Sequence, residues 1–137
     1  MRAEQQRTGE AISLYQRSVD IAQQSGHKRS VMMVLLNLGE LETFARRQGE
    51  ARRTLHHVVD LAQELGDPTI EAGALVNLGI VDLLEGHTVG AIAACKRAFD
   101  LATGMGSTYL AVSALDGLAA AIGDGDPVHA PPSWGMV

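Results

Sequence analysis

The sequence predicts an all-α fold, an α-solenoid of about five to six helices, and three observations lead there. The chain repeats itself at a period of forty residues. Its apolar residues recur at helical rather than strand spacing. Aromatic residues make up only 4% of it while Ala and Leu dominate, which suits closely packed helices better than sheets.

Offsetting the rows by forty aligns Ala11 with Ala51 and Ala91, and Asp20 with Asp60 and Asp100. Ala22, Ala62 and Ala102 share a column, as do Gly26, Gly66 and Gly106. Leu35, Leu75 and Leu115 form another, and Leu38, Leu78 and Leu118 the last. Asn37 and Asn77 also pair, inside LLNLG (35–39) and LVNLG (75–79).

Each unit reads as two helices. GEAISLYQRSVDIAQQSG (9–26), GEARRTLHHVVDLAQELG (49–66) and VGAIAACKRAFDLATGMG (89–106) carry helical apolar spacing. In the middle one Leu55, Val58, Val59, Ala62 and Leu65 make a single stripe. Each segment closes on a Gly suited to the left-handed position that ends a helix. Partner helices follow over roughly 28–46, 68–85 and 107–122. The second of these opens on Asp67-Pro68, an N-cap followed by Pro where its missing N–H costs nothing. Gly39 and Gly79 fall mid-helix, where each costs about 1 kcal/mol against Ala. A neighbouring helix approaching closely there is the expected reason.

The pattern resembles the tetratricopeptide repeat. Leu38-Gly39 leads to Ala51, Leu55 and Val58, and Leu78-Gly79 leads to Ala91, Cys95 and Ala98, at that motif's spacing. Its tryptophan is replaced by Leu35, Leu75 and Leu115, and its tyrosine by Glu42 and Asp82. The period is forty rather than the usual thirty-four, because the helix ending at the terminal Gly runs longer. With its LAQELGD and ALVNLG phrases, the chain is similar to the long-period arrays of large bacterial regulators, the maltose-activator and antibiotic-regulatory-protein types. The resemblance implies a tetratricopeptide-like α–α superhelix whose first-type helices carry Leu-Gly and whose second-type helices end in Gly. Residues 9–123 form this repeat domain, behind a short extension (1–8) and ahead of a Pro-containing tail (124–137) expected to be flexible.

The same resemblance places a concave groove on the first-type helices. By position its lining is Met33, Leu36, Asn37, Glu40 and Phe44 from one helix and Gly73, Val76, Asn77, Ile80 and Leu84 from the next. Ser113, Asp116, Gly117 and Ala120 follow from the third. The implied partner is a protein or peptide held in an apolar groove with two Asn anchors, the chain acting as adaptor or scaffold. The alternative for the Asn pair is repeat packing against a neighbouring backbone carbonyl. Chaperone-binding repeats place Lys and Arg in this groove. Here Met33, Leu36, Gly73, Val76, Ser113 and Asp116 hold those positions, so that specialised role is not expected. A second functional reading is a regulatory fragment of a larger transcriptional regulator, binding a small effector between repeats.

Composition narrows the classes further. A chain of 137 residues, 46% hydrophobic and 20% charged, is one globular domain. No apolar run is long enough for a membrane span, and the polar N-terminus MRAEQQRTGE has no secretory h-region, so the expected location is cytoplasmic. Residues 1–60 carry nine Lys/Arg against seven Asp/Glu, and 61–137 carry two against nine. The acidic second half cannot supply a broad basic face, so direct nucleic-acid binding is not expected. The sequence contains no GxxxxGK[ST], GxSxG or HExxH motif, and an enzyme with a bound cofactor is not expected.

Four smaller features remain. Arg46, Arg47, Arg52 and Arg53 crowd one inter-helix turn and would suit phosphate or an acidic partner, unless Glu42 and Glu50 neutralise them. His56 and His57 diverge by about 100° on a helix, too far to share a metal unaided, and His56 suits a surface ion pair with Asp60. No metal is expected. Cys95 stands at the large apolar position of its helix, where a packed thiol fits better than a nucleophile. The last helix is nearly uncharged, with Tyr109, Leu110, Val112, Leu115, Leu118 and Ile122 on it. It is expected to support a homodimer or hetero-complex, unless Trp134 of the tail caps it.

Overall fold

A computed structural model describes residues 2–123, and it is all-helical. Six helices run in chain order: α1 (Arg2–Ser25), α2 (Lys28–Phe44), α3 (Gln48–Leu65), α4 (Pro68–Leu84), α5 (Thr88–Met105) and α6 (Thr108–Gly123). No strand occurs among the described residues, and no described helix is long and apolar enough to cross a membrane. The tail and its Trp134 lie outside the described residues.

The expected elements appear within a few residues, with one difference. The 1–8 extension is not a separate piece: α1 begins at Arg2 and continues unbroken to Ser25. Ala3, Glu4, Gln5, Gln6 and Arg7 are good helix formers, and nothing before Gly9 interrupts them.

One turn geometry recurs. After α3, Gly66 N–H donates to the Gln63 carbonyl at 3.2 Å and Asp67 N–H to Ala62 at 2.8 Å, with Gly66 left-handed at φ 65°. That double bond satisfies two carbonyls a helix end would otherwise leave open. The same pair closes α2, through Arg46 and Arg47, and closes α4, through Gly86 and His87. Asp67 then caps α4, its Oδ1 accepting from Ile70 N–H at 3.0 Å.

Each helix packs on its sequence neighbours, and α2 also packs on α4 and α4 on α6. Most residues of the identical Ala and Leu columns belong to the core. Ala51, Ala62, Ala91 and Ala102 are fully buried, as are Leu55, Val58 and Cys95. Both mid-helix glycines stand where a neighbour arrives. A Cβ on Gly39 would sit 2.7 Å from Cδ2 of Leu55, and one on Gly79 would sit 2.7 Å from Sγ of Cys95. These distances are too short for real contacts, so the glycines set how near α3 lies to α2 and α5 to α4.

Gly79→Ala is therefore expected to destabilise despite its better helix propensity, since overpacking costs about 1–3 kcal/mol and Ala returns only about 1. In a Cys95→Ala background, where the sulfur is gone, the same substitution should cost clearly less. A urea-denaturation double-mutant cycle checks this, and additive costs would mean that Gly79 and Cys95 do not constrain each other.

Candidate interaction surfaces

The ten residues assigned to the groove on α2 and α4 are all outside the core. Met33, Asn37, Glu40 and Phe44 are exposed on α2, and Leu36 is half-buried. Phe44 is the extreme, 80% exposed at the C-terminal end of its helix. On α4, Gly73, Val76, Asn77, Ile80 and Leu84 are all half-buried. Because α2 and α4 pack side by side, the two Asn-bearing faces adjoin. Asn77 Nδ2 donates to Glu40 Oε1 at 3.4 Å, a long bond in an exposed setting. Its partner is thus a side chain of α2, not a backbone carbonyl. On α6 the assignment holds only in part. Ser113 is half-buried and Asp116 exposed, but Gly117 and Ala120 are buried, since a hydrogen or a methyl group does not rise above the packed helix surface.

The arginine turn does not act as one cluster. Arg52 turns toward the end of α4, where its guanidinium pairs with both Asp82 and Glu85. These bonds raise the pKa of Arg52 and lower that of Glu85. Arg47 lies 3.7 Å from Glu50, and Arg53 is exposed. Arg46 carries positive φ (62°) in the position that Gly86 fills one repeat later, a backbone state costly for a side chain. Glu42 lies within reach of the charges of Arg47 and Arg53 but is itself buried. It is 3% exposed, and Thr54 Oγ1 donates to its Oε1 at 2.7 Å.

The structure buries three acids and gives each its own partners. Glu42 and Asp82 share one column, and both are buried. Burial is the main cause that raises the carboxyl pKa of Glu42. Asp82 instead receives Arg52, and its carboxylate lies against Gly90, where a Cβ would sit 2.7 Å from Oδ2. Ligand atoms of Asp82, Glu85 and His87 fall within 4.8 Å of one another, and Arg52 supplies the positive charge there. A third acid, Glu71, is enclosed by Gln63 and Arg97, which donate to its Oε2 at 3.0 and 2.8 Å. None of these groupings stands out in one linear pass, because the partners lie on different helices. Comparing column 31/71/111, which reads Val, Glu, Ala, would have marked Glu71 as the odd acid.

The other features resolve simply. His56 and Asp60 are both exposed, and the structure shows no ion pair between them. Spacing permits that pair, but two solvated side chains gain little from it. Cys95 is fully buried, and burial, with the Asp82 charge adding to it, pushes its thiol up to about 11. On α6, Tyr109, Val112, Leu115 and Ile122 are exposed, while Leu110 and Leu118 are half-buried. Comparison with protein-family models and with curated proteins finds no match for this chain.

Glu42 gives a pH test. Its folded pKa lies above 4.5, so the protonated form stabilises the fold at low pH. That contribution is complete below the unfolded value and is lost as pH rises through the folded one. Glu42→Gln keeps an acceptor for Thr54 and removes the loss, so its stability relative to the parent should grow with pH across this window. Asp67, whose pKa is lowered chiefly by its cap bond to Ile70 N–H, works oppositely and at lower pH in both proteins. Parallel urea midpoints for the two proteins from pH 4 to pH 7 would refute the assignment.

Proposed function

We propose that the chain is a non-catalytic repeat module of tetratricopeptide-like, α–α superhelical build, which binds a protein or peptide along the adjoining faces of α2 and α4. The observation that carries this reading is the division of labour within the repeat. Most residues of the identical Ala and Leu columns are buried, while the ten groove positions on α2 and α4 stay outside the core, open to solvent fully at four and partly at six. Those open positions are apolar at Met33, Leu36, Phe44, Val76, Ile80 and Leu84, with Asn37, Glu40 and Asn77 among them. An extended or helical peptide uses such a surface through apolar anchors, with a few amide groups meeting its backbone.

Self-association through α6 belongs to the same proposal. One column reads 6% exposed at Leu35, 7% at Leu75 and 48% at Leu115. Ile122 is 67% exposed where Asp82 is buried, and Val112 is 52% exposed where Ala72 is buried. This face of α6 keeps the pattern that α4 buries, and a second copy meeting it about a two-fold axis would cover it in a closed dimer.

Two experiments test the proposal. Affinity capture with mass spectrometry should recover a partner on the parent protein. The Asn37→Ala/Asn77→Ala variant should weaken that partner's binding by about 1–3 kcal/mol while moving the melting temperature little, since both amides lie outside the core. A melting temperature that collapses while affinity per folded molecule holds would make both residues structural.

Sedimentation at micromolar concentration should show association that Leu115→Glu with Ile122→Glu abolishes. A monomeric parent protein would end the dimer proposal.

A further inference from the structure

Between α1, α2 and α3 lies an open cleft of about 250 Å³, lined by Gln23, Gly26, Lys28, Val31, His57 and Leu61. It has room for a small molecule rather than a single water, whose share of liquid is about 30 Å³. Adding forty to each number gives Gln63, Gly66, Pro68, Glu71, Arg97 and Leu101, the corresponding junction of α3, α4 and α5. That second junction contains its own carboxylate. Glu71 Oε2 accepts from Gln63 Nε2 at 3.0 Å and from Arg97 Nη2 at 2.8 Å, with the Glu71 side chain 8% exposed.

The first junction keeps the donors and lacks the acid. Gln23 stands for Gln63, His57 for Arg97, and Lys28 adds a cation where the next unit has Pro68. In place of Glu71 is Val31, buried and shorter by the carboxyl group. Gln23 and His57 make no side-chain hydrogen bond to other described residues. Lys28 at the rim pairs with Glu64 and is more than half exposed.

We propose that this cleft binds the carboxylate of an added ligand, a short aliphatic monocarboxylate or a glutamate side chain of a bound peptide. The oxygens take the place that Glu71 fills one repeat later, accepting from Gln23 Nε2 and a His57 ring N–H. The ligand's methylene groups lie on Val31 and Leu61, and Lys28 supplies positive charge at the mouth. A neutral amide of the same shape meets the same walls without the charge-assisted bonds, so the site discriminates by charge. The inference does not depend on the α2–α4 surface, whose residues line a different part of the molecule.

The test is an NMR titration of the full chain, following the Gln23 side-chain amide and the His57 ring, and the Leu61 methyl groups in the variant that lacks them. Butyrate should shift both saturably, at roughly millimolar concentration for a ligand of this size. Butyramide should bind at least tenfold more weakly. Val31→Glu should place an internal carboxylate in the cleft and abolish the butyrate response. Gln23→Leu with His57→Leu, both at exposed positions, should weaken butyrate at least tenfold in a chain that stays folded by circular dichroism. An acetyl-Ala-Glu-Ala-amide peptide run in parallel separates the sources, the tighter ligand identifying whether a free acid or a peptide side chain is preferred. Equal responses to butyrate and butyramide, or shifts that never saturate, would overturn the proposal. So would unchanged binding in the folded Gln23/His57 variant.

Discussion

The fold depends on two contacts in which a helix backbone meets a side chain with no Cβ between them. At Gly39 the intruder is Leu55, and at Gly79 it is Cys95, each fully buried. Each glycine weakens its own helix by about 1 kcal/mol, so tertiary packing has to return more than local propensity gives up. It does so by letting α3 and α5 sink onto their partners, which encloses the alanines at 51, 62, 91 and 102 completely. With few aromatic residues to fill space, the core gains density by approach rather than by bulk.

Close approach leaves little room for water, and it explains why the acids near these contacts are so fully provided for. Glu42 has Thr54, Asp82 has Arg52, and Glu71 has both Gln63 and Arg97. Among the described residues no buried side-chain nitrogen or oxygen lacks a partner. All of these bonds span two helices, and those of Glu42 to Thr54 and Glu71 to Arg97 cross from one unit to the next. They tie one repeat to the next in a way that the apolar columns, all alike, do not. A carboxylate with one assigned donor set resists sliding by a unit, so these pairs hold the register that the identical leucines leave ambiguous.

Much of this was legible in the sequence, and the legible part follows the periodicity. Helix order, the turns at Gly26, Gly66 and Gly106, the Asp67 cap and the close approach at Gly39 and Gly79 all follow from columns or from local chemistry. The N-terminal turns of α1 were missed because residues 2–8 match no column, although their propensity is helical. The partners of Arg52 were illegible for a different reason. Adjacent numbers suggested adjacent side chains, yet Arg52 faces the end of α4, thirty residues on in sequence. No linear pattern marks a pairing whose two halves lie on different helices. The α2–α4 surface was placed by the resemblance alone, since no column marks a face shared by four exposed and six half-buried residues.

A repeat protein carries its own control experiment, because each unit shows what the same position does with another residue. Where buried apolar columns agree, as at Leu38 and Leu78, the residue serves packing, and substitution there reads as stability. Where they disagree within a fixed geometry, the difference is informative about chemistry. Arg46 holds a left-handed backbone that Gly86 adopts freely, so its side chain is kept against a conformational cost. Val31 stands in a donor-lined junction that Glu71 completes one unit later. Leu115 lies open in a column that is otherwise buried. These three departures fall on three different surfaces. In this chain the shared Ala and Leu columns account for how it folds, and the broken columns, with the shared Asn37 and Asn77, are where an account of its binding has to begin.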